Sequence, residues 1–164
     1  MSAGTLNDLF YDALKDIDYA ERKILRALPK MARAAEAEAV REAFLKHRDE
    51  TETHMERLQE VFEILGKRPQ GKTCPAIDGI LEEGQEIIEE MKEKPGLDAG
   101  LLAAAQAVEH YEMARYGTLR RWAETLGLKD AAKLLGQTLQ EEAATDEALS
   151  ALAEGDANAR ALAA

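Results

Sequence analysis

Cysteine, proline and basic charge are all scarce in these 164 residues, and each scarcity excludes something. The single thiol, Cys74, cannot close an intramolecular disulfide and offers no Cys-x-x-Cys pair for zinc or thiol chemistry, so it reads as a packed or partly exposed side chain. A formal net charge of −11 lacks the basic stripe that phosphate contacts require, which argues against nucleic acid and makes cations the more natural partners. No apolar run approaches the roughly 18 residues needed to span a bilayer, so no membrane partner is expected. The opening MSAGTLNDLF lacks the basic and apolar segments of a secretory signal, and the expected location is the cytoplasm. Four prolines and eleven glycines leave few helix breakers in a chain dominated by Ala, Leu, Glu, Lys and Arg. An all-α fold with one core follows from this composition and length.

Helical periodicity begins almost at once. Phe10, Leu14, Ile17, Glu21, Ile24 and Leu28 recur at three- and four-residue steps after a capping-type start at Thr5 with Asp8. A first long helix is expected over residues 5–33, kinked or shortened at Pro29. A second is expected over 37–65, with Gly66 as its stop. The breaker-rich KRPQGKTCPA then opens a crossover holding a shorter amphipathic helix over 77–92. Asp98 is read as the cap of a third long helix to about residue 126, and a fourth follows the Gly127 turn over 130–153. Two hairpins joined by a long crossover predict a ferritin-like four-helix bundle in which residues 1–155 form the domain and 156–164 a frayed tail.

Acids interrupt the apolar stripes of all four long helices. Glu21 falls between Ile17 and Ile24, and Glu50 and His54 lie one turn apart ahead of Leu58. Glu109 and Glu112 break the line of Leu102, Ala105, Tyr116 and Leu119, while Glu142 and Asp146 lie among Leu135, Leu139 and Leu149. The halves repeat: Asp18 to Glu109 and Glu21 to Glu112 each span 91 positions, and Glu50 to Glu142 and His54 to Asp146 each span 92. A pseudo-twofold site is implied. Unpartnered carboxylates in a helical core cost several kcal/mol each, a cost that a pair of cations would offset, and oxygen with imidazole ligands suits iron or manganese. Di-iron carboxylate bundles take a Glu from two helices and Glu-x-x-His from the other two. Here the step is four residues, and Asp146 stands in place of a second His. Such spacings more often mark solvated faces, but agreement across four helices favours metal.

Around that pattern, His47 is read either as a donor orienting a carboxylate or as a surface residue, and His110 as solvent-side. Tyr19, Tyr111 and Tyr116 fall near the expected site.

The segments DIDYAERKILRALPKMA, HRDETETHMERLQEVFEILGK, EHYEMARYGTLRRWAETLGL and LQEEAATDEALSALA resemble the YciE/YciF family of ferritin-like bacterial stress proteins. The resemblance implies a dimer-forming bundle with a di-metal centre and a link to stress responses. Carried over by position, it implies Glu21, Glu50, His54, Glu112, Glu142 and Asp146 as ligands, with Glu109 as a further candidate. The function expected is reaction of two bound iron ions, bridged by Glu50 and Glu142, with peroxide or dioxygen. The alternative is a structural or interaction protein of the stress response that metal only stabilises.

Overall fold

The structure is a computed structural model, and residues 3–162 are described. Five α-helices carry the fold: α1 (Leu6–Ala34), α2 (Glu38–Ile64), α3 (Pro75–Glu90), α4 (Leu97–Thr125) and α5 (Lys129–Leu152). No strand occurs among the described residues. The four long helices close a ring of contacts, α1 on α2, α2 on α5, α5 on α4 and α4 on α1, while α3 lies across the seam between α1 and α4. That is the bundle with a helical crossover expected from the sequence. No helix among the described residues is long and apolar enough to cross a membrane.

Local chemistry sets most of the boundaries. Thr5 and Asp8 form a reciprocal capping box at the start of α1, the Asp8 amide donating to the Thr5 hydroxyl and the Thr5 amide to the Asp8 carboxylate. Helices α2 and α4 end at Gly66 (φ 65°) and Gly127 (φ 74°), in the left-handed region that favours glycine. The Lys67 amide reaches back to Phe62 and the Leu128 amide to Ala123, satisfying carbonyls that the helix ends leave free.

Three expectations change. Pro29 does not end or shorten α1, which runs on to Ala34. Asp98 does not cap its own helix. Its buried carboxylate instead accepts from the amides of Glu36 and Ala37, both at 2.8 Å, and so pins the two residues that lead into α2. The tail expected to fray from residue 156 stays helical. A π turn, Ala153–Ala157, leads into a short α6, Asn158–Ala161, and Arg160 donates to Asp98 at 3.0 Å. Residues 1, 2, 163 and 164 of the domain and tail assignments lie outside the described residues.

Apolar side chains from α1, α2, α4 and α5 fill the interior, with Phe10, Leu14, Phe44, Phe62, Leu102 and Leu119 among the fully buried. Helices α3 and α4 approach closely at Gly100, where an added Cβ would lie 2.7 Å from Ile87 Cγ2.

Candidate metal centre

Midway along the bundle the core turns polar. Glu21 on α1, His47 and His54 on α2, Glu109 and Glu112 on α4 and Glu142 on α5 are all buried, with exposures between 0 and 4%. Each sits where an apolar residue would continue its helix's inward stripe, so the periodicity that buries Ile17 and Leu58 also buries these charges. His47 and His54 are two turns apart and share a face, their ring centroids 6.5 Å apart.

Glu142 is the centre of the arrangement. Its Oε1 lies 2.8 Å from His54 Nδ1 and its Oε2 lies 3.9 Å from His47 Nε2. His47 Nε2 also lies 2.7 Å from Glu109 Oε1 and 4.0 Å from Glu112 Oε2, while His54 Nδ1 lies 3.7 Å from Glu21 Oε1. Two groups of donor atoms result, His47–Glu109–Glu112–Glu142 and Glu21–His54–Glu142, each with its atoms within 4.8 Å of one another. Glu142 belongs to both.

These contacts are not hydrogen bonds of good alignment. Among the described residues, the buried side-chain atoms left without a hydrogen-bond partner are both oxygens of Glu109, Glu112 and Glu142, Glu21 Oε2, both nitrogens of His47, His54 Nδ1 and, elsewhere, Arg120 Nε. Buried polar groups are normally satisfied, and an orphaned carboxylate oxygen is costly. The donor atoms point at shared space between them, as ligands around a cation do. Carboxylate oxygen with imidazole nitrogen is a donor set that suits iron, manganese or zinc, so these groups could hold a metal ion.

Proton affinities show the same strain. Burial, followed by the neighbouring Glu142, pushes Glu109 up to about 9. Burial and the charges of Glu142, Glu21 and Glu109 hold Glu112 well above the usual carboxylate range, and Glu21 rises through burial and Glu142. Burial would raise Glu142 too, but Glu109 and the two imidazoles draw it down to about 2. Against burial, which favours the neutral rings, carboxylates raise His54, and raise His47 well above its ordinary value. The cluster therefore retains protons that a metal would displace.

Of the seven residues singled out from the sequence, Glu21, His54, Glu109, Glu112 and Glu142 are brought together. Glu50 and Asp146 are not. Glu50 is partly exposed, 3.8 Å from His47 Nδ1, and accepts from the Thr145 hydroxyl at 3.1 Å. Asp146 turns to the rim, where Gln106 and the exposed His110 meet it at 3.4 and 3.2 Å. His47, left open between two roles, stands inside the cluster, and its seven-residue spacing from His54 was the signal for a shared face. Among the tyrosines only Tyr116 touches the site, donating to Glu21 Oε1 at 2.5 Å. Tyr19 bonds Asp78 and Tyr111 meets Cys74 Sγ at 3.0 Å.

Apart from the cluster, a groove of about 800 Å³ lies between α1, α3 and α4. Ala27, Met31, Leu81 and Val108 line it, and the same four side chains face His47 and Glu109. One apolar layer thus separates an open groove from the polar centre.

Comparison with known proteins agrees with this architecture. The chain is 44% identical to Protein YciF of Escherichia coli K12 over 162 residues, covering 98% of both. The crystal structure of the E. coli stress protein YciF superposes with a TM-score of 0.89 at 44% identity, over 94% of this chain and 98% of that one. YcfI of Rhodopseudomonas palustris gives 0.88 at 45% identity, over 92% and 97%. A protein of Xanthomonas campestris shares the fold at 19% identity, with a TM-score of 0.74 over 95% and 96%. A family model described as Domain of unknown function (DUF892) matches residues 5–162, and the chain belongs to that family, alongside YciF.

Proposed function

We propose that this protein is a di-metal, di-iron in the cell, bundle whose bound metal reacts with peroxide or dioxygen. The observation that carries the proposal is the set of orphaned, mutually facing donor atoms from four helices, with Glu142 common to both groups. His47, Glu109, Glu112 and Glu142 would hold one ion, and Glu21, His54 and Glu142 the other. Glu50 and Asp146, both predicted as ligands, serve at the rim in this proposal. Bound iron would supply electrons to an oxidant, which the carboxylates and imidazoles of the cluster do not do by themselves.

The chain's own residues supply the surroundings. The Tyr116 hydroxyl fixes Glu21, leaving its Oε2 free for the cluster. Leu58, Val61, Tyr116 and Leu135, buried beside His54, keep bulk water out. Ala27, Met31, Leu81 and Val108 form the thin wall through which a small neutral oxidant would pass from the groove. The resemblance to a stress protein supports a role in stress response, and a cytoplasmic homodimer is proposed with it.

Elemental analysis of protein purified without added metal tests the site: the expected result is two equivalents of iron per chain. Adding peroxide to the ferrous protein should then change its absorption at once. Metal-free, fully folded protein that gains no thermal stability from iron, manganese or zinc would overturn the proposal. Strong stabilisation without turnover would favour the structural reading, which the provisional description of the R. palustris relative as a structural protein also favours.

A further inference from the structure

His54 is gripped on both ring nitrogens by consecutive residues of α5. Glu142 approaches Nδ1 at 2.8 Å from inside the cluster, and Glu141 meets Nε2 at 2.9 Å from the rim. Neighbouring residues of a helix diverge by about 100° around its axis, so one pair can hold an imidazole from two sides.

Glu141 is itself held. Arg57, one turn beyond His54 on α2, donates with one terminal nitrogen to Glu141 Oε1 at 2.8 Å and with the other to Oε2 and to the Thr138 hydroxyl. Thr138 is buried one turn before Glu141 on α5, so the fork of Arg57 ties α2 to α5 at this level. Bidentate pairing of this kind fixes a carboxylate's orientation as well as its charge.

From this geometry we infer that Glu141, locked by Arg57, is a positioning residue that holds His54 as the Nε2–H tautomer and commits Nδ1 to the metal cluster. Both ring nitrogens face carboxylates, which only accept, but only Nε2 makes an aligned hydrogen bond, to Glu141, so in the neutral ring the hydrogen lies on Nε2 and Nδ1 presents its lone pair. Nδ1 faces the carboxylates of Glu142 and Glu21, so a proton lies between them in the metal-free protein and a bound cation would take its place. His47 has no such partner, since neither of its nitrogens makes an aligned hydrogen bond, and it serves as an internal control. The inference rests on the metal reading for its purpose but not for its tautomer.

The test is side-chain nitrogen NMR of the histidines, first in chelator-treated protein at alkaline pH, where the ring is neutral, and then with zinc as a diamagnetic probe. Wild type should show His54 as Nε2–H in both states. Glu141→Ala should give a tautomer mixture at His54, leave His47 unchanged, and weaken zinc binding about 10- to 100-fold. Glu141→Gln retains an acceptor oxygen and should restore much of both signals, which also covers a failure of the alanine variant to fold. Nδ1–H in the wild type, or the wild-type His54 spectrum in Glu141→Ala, overturns the inference. Zinc failing to bind wild type while the metal-free spectra behave as stated would remove the metal reading and leave the tautomer assignment standing.

Discussion

Single residues show how far this core departs from what stability alone would select. Glu112 is fully buried, and neither of its oxygens has a hydrogen-bond partner. Replacing it with methionine, of similar length and apolar, removes an unsatisfied buried group. In the presence of chelator, Glu112→Met should unfold at higher urea, a gain of about 1–3 kcal/mol. The same variant should lose most of the stabilisation that zinc or ferrous iron gives the wild type. Equal stability of the two metal-free proteins would mean that Glu112 finds a partner in solution. Glu142 differs because it faces two imidazoles and stays ionised, so its replacement would strand positive charge instead of relieving repulsion.

Elements are joined by groups that the helical pattern does not announce. Helix α2 begins without a side-chain cap of its own, at Ala37. The two amides just ahead of it, of Glu36 and Ala37, are satisfied by Asp98 of α4, which also receives Arg160 from the C-terminal turn. One carboxylate thus ties the first hairpin, the second hairpin and the tail. Asp98→Ala removes the acceptor of two partly buried amides and of Arg160 and should cost about 2 kcal/mol in chemical denaturation. Metal affinity should not change, because Asp98 belongs to neither donor group. A loss of metal binding in the folded variant would show that this joint sets the geometry of the cluster as well as the bundle's stability.

Across the whole molecule the cluster makes stability depend on pH in a definite direction. Glu109 has an ordinary value of 4.5 and is raised to about 9 in the fold, so the folded protein keeps a proton that the unfolded chain releases. Its contribution is fully present below the ordinary carboxylate range and is lost as pH rises toward about 9. His47 and His54, both raised above 6.5, act the same way: their contribution is present below 6.5 and fades as pH passes their folded values. Glu142 opposes this only in acid, between its ordinary 4.5 and about 2. Metal-free protein should therefore lose stability steadily from mildly acid to alkaline pH. Metal-loaded protein should show a flatter profile, because cations replace those protons. Urea midpoints across pH, with chelator and with metal, measure both curves; a metal-free curve that rises with pH would contradict the burial of these groups.

What the sequence determined by itself was the fold and the level of the site. Stripes of Phe10, Leu14, Ile17 and their counterparts have one period and one inward face, and Gly66 and Gly127 mark ends that only a left-handed residue closes easily. Acids on those stripes had to enter the core with them, which is why Glu21, His54, Glu109, Glu112 and Glu142 were legible. Tertiary structure alone decided which neighbours they would meet. Periodicity fixes a residue's direction to within a broad sector, and at the edges of that sector the turn of a side chain depends on the facing helix. Glu50 and Asp146 lie there and turn to Thr145 and to Gln106 and His110, whereas His47 turns inward to Glu109. Asp98 reaching α2 and Glu141 reaching His54 join positions 61 and 87 residues apart, and only the packing of helices brings such pairs within hydrogen-bond range.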